Sequence, residues 1–150
     1  MPEPKQLTLS ELESGVDYIL QSPKLEGGLA LIVRRPAVGE REVLQVGHLD
    51  GSEGLAGDNW SMRASARTSD GTVRLDSQVT LMNARVIDLV AQAKERWPLA
   101  GDQLYVDLDL SMDNLPAGTH LAIGNAVIEV STQPHTGCKK FMAGKFNFIA

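Results

Sequence analysis

The sequence predicts a mainly β, α+β domain: a small mixed or barrel-like sheet with two peripheral helices. Three observations lead there. Short aliphatic runs recur along the chain, separated by glycine, proline, asparagine and aspartate. Only two stretches, Ser10 to Leu20 and Ala84 to Trp97, carry apolar residues at helical spacing. Strands and helices do not alternate regularly, which argues against a doubly wound parallel sheet and favours a small barrel-type one. At 150 residues, 43% hydrophobic and 22% charged, the chain suffices for one domain with a real core.

In the first helix Leu12, Val16, Ile19 and Leu20 share a face. Ser10 with Glu13 fits a capping box, in which each side chain satisfies an orphan amide at the helix start. Gly15 weakens the helix, Gln21-Ser22-Pro23 ends it and Gly27-Gly28 turns the chain. Gly28 to Arg34 reads as a strand, and Val43 to Leu49 as the next. Between them lie Arg34, Arg35 and Arg41. A solvated turn accounts for three arginines there; the sharper alternative is an anion site, since guanidinium matches phosphate oxygens in two-toothed fashion.

Gly51 to Trp60 is a turn-rich loop whose glycine spacing matches neither the P-loop nor the dinucleotide fingerprint. Within it Gly57-Asp58-Asn59 suits a tight turn. Arg63 to Gly71 is a polar loop. Thr72 to Leu75 and Ser77 to Met82 read as strands, and Asn83 caps the second helix. Val86, Leu89, Val90 and Ala93 form the apolar stripe of that helix, and Pro98 stops it.

Gln103 to Leu110 alternates, with Leu104, Val106, Leu108 and Leu110 on a dry face and Tyr105, Asp107 and Asp109 on a wet one. The run Asp107 to Asp113 imitates a calcium loop but has Met112 where the glycine is needed and Gly118 where the bidentate glutamate is needed. Leu115 to Gly118 is a turn. Gly124-Asn125 joins Thr119 to Ile123 and Ala126 to Ser131 in a tight hairpin.

The hairpin leads to Pro134-His135-Thr136-Gly137-Cys138-Lys139-Lys140-Phe141, which holds the only cysteine. Pro134 cannot continue a central strand. Cys138 is therefore expected just past a strand end, where Lys139, Lys140 and a protonated His135 favour the thiolate. A buried, space-filling cysteine is the plain alternative.

The net charge of -5 argues against a general nucleic-acid surface. A lone cysteine forms no internal disulfide, which suits a reducing cytosol. Leu29 to Val33, the longest aliphatic run, is too short to span a bilayer, and the N-terminus lacks the apolar core of a signal peptide. A cytoplasmic protein that binds neither membrane nor nucleic acid is expected.

Taken in order, Arg35-Pro36 with Glu40-Arg41, Gly54 to Trp60, Gln78 to Asn83, Gly101 to Leu104, Leu115 to Gly118 and Pro134 to Phe141 resemble the MOSC family. This is the domain found at the C-terminus of molybdenum cofactor sulfurases; the likeness is closer to its small standalone bacterial members and covers nearly the whole chain. The resemblance implies a barrel-like β-rich fold. It also implies a cysteine, matched here by Cys138, that carries sulfur as a persulfide or ligates molybdenum at a molybdopterin-type cofactor. Arg35, Arg41, Asp58, His135, Thr136 and Lys139 are the candidate cofactor-binding residues; because a pterin cofactor carries phosphate, the arginines gain a role there, with no contact mapped.

Pyridoxal phosphate is not expected, because the chain has no room for the separate domain that uses it in full-length sulfurases. A sulfur donor or an electron-transfer protein is the implied partner. Two alternatives stand beside the sulfur-carrier reading. One is a molybdenum-dependent reductase of N-hydroxylated compounds supplied with electrons by a partner. The other is a non-catalytic binding domain in which Cys138 is structural. The chain ends at Ala150, soon after the cysteine, where family members continue through a helix and closing strands. A shortened C-terminus and self-association through an open sheet edge are expected on that ground.

Overall fold

The computed structural model describes residues 5–63 and 68–133. Its elements are α1 (Leu9–Leu20), β1 (Gly28–Arg34), β2 (Glu42–Leu44), β3 (Leu49–Asp50), β4 (Gly54–Leu55), β5 (Leu81–Asn83), α2 (Ala84–Ala91), β6 (Leu104–Asp107), β7 (His120–Ile123) and β8 (Ala126–Glu129). Short 3-10 turns occupy Trp60–Met62, Leu75–Ser77 and Lys94–Ala100. The class is α+β. The main sheet has four strands in the order β2-β1-β6-β5, with β5 and β6 parallel and the other pairs antiparallel. β3 with β4 and β7 with β8 form two further two-stranded sheets, and among the described residues the strands close no barrel.

α2 packs on the main sheet rather than lying at the periphery. It buries Ala84, Ile87, Val90 and Ala91 in one cluster with Val33, Met82, Trp97 and Tyr105. Asn83 caps it as expected: its Oδ1 accepts from the amides of Arg85 (2.9 Å) and Val86 (3.0 Å). α1 buries no residue fully and lies over α2. Gly15 serves that contact, since a Cβ there would come within 2.7 Å of the Leu89 side chain. The glycine that weakens α1 as an isolated helix lets it approach its neighbour.

The structure corrects several expectations. The capping box of α1 is Thr8 with Glu11: Thr8 Oγ1 accepts from the Glu11 amide (3.2 Å), and Glu11 Oε2 accepts from the Thr8 amide (2.8 Å). Ser10 already lies inside the helix. Helical spacing leaves several register choices for a cap, and Leu9 belongs in the first turn.

The second helix ends at Ala91 instead of Trp97. Gln92 takes a left-handed conformation (φ 66°), Ala93 is extended, and Arg96 Nη1 donates to the Ala91 carbonyl (2.8 Å). This break brings Trp97 beside Tyr105, whose hydroxyl donates to the Trp97 carbonyl (2.8 Å). Tyr105 is therefore buried rather than wet; β6 is covered on both faces, with Leu104 and Val106 buried on the other side. Burial pushes the Tyr105 hydroxyl pKa well up. The expected strand Val43 to Leu49 splits into β2 and β3, with Gly47 between them close to Leu55 and Ile32. Of the strands expected from Thr72 to Met82, only the end forms; Leu75–Ser77 is a 3-10 turn.

Candidate functional site

Four segments far apart in sequence meet at one buried ion pair. β1 delivers Arg35 one residue past its end, and β4 leads through a tight turn to Asp58, whose amide donates to the Leu55 carbonyl (3.0 Å). Arg35 Nε and Nη2 donate to Asp58 Oδ1 (3.0 Å) and Oδ2 (2.8 Å) in the two-toothed geometry that makes such pairs strong. The Arg35 amide also donates to Oδ1 (2.7 Å), and the Trp60 amide to Oδ2 (3.0 Å). The Asp58 side chain is fully buried and that of Arg35 is 11% exposed.

Gln103, just before β6, extends the network. Its Nε2 donates to Asp58 Oδ2 (3.3 Å), and its Oε1 accepts from the amide (2.9 Å) and hydroxyl (2.7 Å) of Thr80. Arg35 Nη1 donates to the Gly101 carbonyl (3.2 Å). Burial alone would push the Asp58 carboxyl pKa up. The Arg35 hydrogen bonds and charge, with the two backbone amides, outweigh that and hold it below the usual carboxylate range.

The other arginines go elsewhere. Arg34 pairs with Glu42 across β1 and β2 (2.7 Å). Arg41 donates from Nε to the Pro98 carbonyl (2.9 Å) and from Nη1 to the Glu40 carbonyl (2.8 Å), so it anchors the β1–β2 connection to the Lys94–Ala100 turn. Its Nη2 lies on the side of Gly101, where it would be 3.9 Å from an added Cβ. Arg35 and Arg41 thus converge on one turn, but on different terms. The fork of Arg35 is committed to Asp58, whereas Arg41 Nη2 has no hydrogen-bond partner among the described residues.

Beside the network, Asn59 Oδ1 and Trp60 Nε1 are buried with no hydrogen-bond partner among the described residues. Leaving such an acceptor and donor unmatched would cost about 1–3 kcal/mol each.

The structure therefore brings together Arg35 and Asp58, with Arg41 nearby. Cys138, His135, Thr136 and Lys139 lie outside the described residues. Gln103 and Thr80 were not singled out as site residues. Their only sequence signal was membership of the segments Gly101 to Leu104 and Gln78 to Asn83. Among the described residues no group of three or more histidine, cysteine, aspartate or glutamate side chains could hold a metal, and no helix is long and apolar enough to cross a membrane.

A separate cleft of about 1170 Å³ lies between the β7–β8 hairpin and the Arg74–Leu81 stretch. Gln133, the last described residue, lines it. In comparisons with family models, with curated proteins and with solved structures, nothing matches the chain.

Proposed function

We propose that this chain is a molybdenum-cofactor-binding module of the MOSC type, in which Cys138 ligates the metal or carries sulfur to the cofactor. One observation carries the reading: segments that resemble the family piece by piece form one hydrogen-bonded unit through Arg35, Asp58, Thr80 and Gln103. Scattered over the surface, the same segments would offer no support. On this reading the three sheets are parts of a MOSC-type barrel.

The donor set fits the group. A molybdenum cofactor supplies a metal that accepts soft sulfur ligands, and a thiolate is soft and nucleophilic. Cys138 would hold the metal. Arg41, whose Nη2 has no hydrogen-bond partner among the described residues, would meet the cofactor phosphate. His135, Thr136 and Lys139 are proposed alongside them. Arg35, saturated by Asp58 and Gly101, instead fixes the Gly54–Trp60 loop against the β5–β6 edge.

The test is cofactor retention in Arg41→Lys and Arg41→Ala, read as released pterin per mole of purified protein. Lysine keeps the charge and loses the fork, so we expect retention to fall several-fold in both. Unchanged retention in both variants would put the anion site elsewhere.

A further inference from the structure

α1 has two apolar faces and uses one. Leu12 packs against the core cluster, and Gly15 sits against Leu89 of α2. The next face round the helix carries Leu9, Glu13, Val16 and Leu20, at spacings of four, three and four residues. At 3.6 residues per turn these four fall on one line along the helix. That is the spacing of the a and d positions at a helix–helix seam. The seam is uncovered: Leu9 is 61%, Val16 41% and Leu20 70% exposed, and Glu13 is exposed between them.

The charge on this face is equally unmet. Glu13 lies within the seam and Asp17 one turn further along its flank. Among the described residues neither joins an ion pair, whereas Glu11 takes Lys5 at 2.6 Å. Carboxylates four residues apart on a helix repel each other. Asp17 also stands in the last turn, which holds no basic residue, so it faces the negative end of the helix dipole.

We propose that this face of α1 docks a helix of a different protein, one that sets a lysine or arginine opposite Glu13 and a second cation beside Asp17. Aliphatic side chains at the other seam positions would cover Leu9, Val16 and Leu20. A single polar residue in a seam selects the partner that can satisfy it. A second copy of this chain cannot. In a parallel pair it would set Glu13 against Glu13, and in an antiparallel pair it would bury Glu13 against Leu9 or Val16, leaving the charge unpaired either way. The surface shares no residue with the cofactor site proposed above, and its role stands whether or not the protein binds molybdenum.

The probe is a synthetic amphipathic helical peptide with leucine along its seam and lysine opposite Glu13 and Asp17. A second peptide carries glutamate in place of each lysine. Both are titrated into the full chain, and backbone amide shifts are read by NMR. The lysine peptide should move the amides of Leu9, Glu13, Val16 and Leu20 and bind several-fold more tightly than the glutamate peptide. Val16→Ser should weaken it. Glu13→Lys should reverse the order of the two peptides, while Asp113→Lys, the same charge change at another exposed site, should leave it. Shifts confined to other surfaces would overturn the proposal, as would an order that Glu13→Lys and Asp113→Lys alter equally. So would a dimer of the free protein, seen by sedimentation, that Val16→Ser dissolves, since a second copy would then be the occupant.

Discussion

Arg35 and Asp58 are joined three times, twice through the guanidinium (3.0 and 2.8 Å) and once through the Arg35 backbone amide (2.7 Å). The pair ties the end of β1 to the loop after β4, and Gln103 ties both to the start of β6. Removing the carboxylate would strand a guanidinium that is almost wholly buried. We expect Asp58→Ala to cost about 3–5 kcal/mol, the range for breaking a buried pair. Arg35→Lys keeps charge but loses the fork, and should cost less. Urea unfolding measures both; a loss below 1 kcal/mol for Asp58→Ala would show that the pair is dispensable.

The same pair predicts an acid limb of stability. The Asp58 pKa in the folded state lies below its ordinary value because the bonds and charge of Arg35 outweigh the effect of burial. A carboxylate lowered in this way contributes stability above its unfolded pKa, about 3.9. It loses that stability as pH falls through the folded value. Wild-type stability should therefore decline below about pH 4. Asp58→Asn, already destabilised, should show a shallower decline. Parallel acid limbs would mean that the exposed carboxylates, such as Glu11 held at about 2 by Lys5 and the Thr8 amide, account for the effect.

Gly27 and Gly28 are neighbours with opposite tolerances. A Cβ on Gly27 would lie 1.9 Å from the Asp107 carbonyl oxygen, a backbone atom of β6 that cannot move without disturbing the sheet. A Cβ on Gly28 meets nothing within 4 Å. Gly27→Ala should destabilise by roughly 1–3 kcal/mol, as overpacking does, and Gly28→Ala should stay within about 0.5 kcal/mol of wild type, like other surface changes. Thermal melting of the two variants side by side decides it.

The cap of α1 offers a similar contrast. Thr8→Ala removes the side chain that accepts from the Glu11 amide and should cost about 0.5–2 kcal/mol. Ser10→Ala, within the first turn, should be close to neutral or slightly stabilising, since alanine is the better helix former. A larger loss at Ser10 than at Thr8 would contradict the observed cap.

Local chemistry was legible where one short stretch decides the outcome. β1 falls where its aliphatic run predicts, Asn83 caps α2, and Gly124 (φ 57°) turns the hairpin. What the sequence hides is decided across the fold. Nothing near Gln92 marks the end of α2; the break is fixed by where Trp97 must sit against Tyr105. Tyr105 reads as the wet side of an alternating strand because its cover comes from that same distant turn. Asp58 reads as a turn residue because its partner stands 23 positions away. Arg35 and Arg41 read as equivalent, and only their acceptors distinguish them: a buried carboxylate for one, backbone carbonyls for the other.

Molybdenum-cofactor binding through Cys138, as proposed above, is tested most sharply by metal content. Protein made in a molybdenum-replete host, purified without chelator, is assayed for molybdenum per chain, wild type beside Cys138→Ser, with melting temperatures to confirm that both are folded. Close to one molybdenum per wild-type chain, and little in the variant at an unchanged melting temperature, is the expected result. Molybdenum-free wild-type protein, or equal molybdenum in the two proteins, would contradict it.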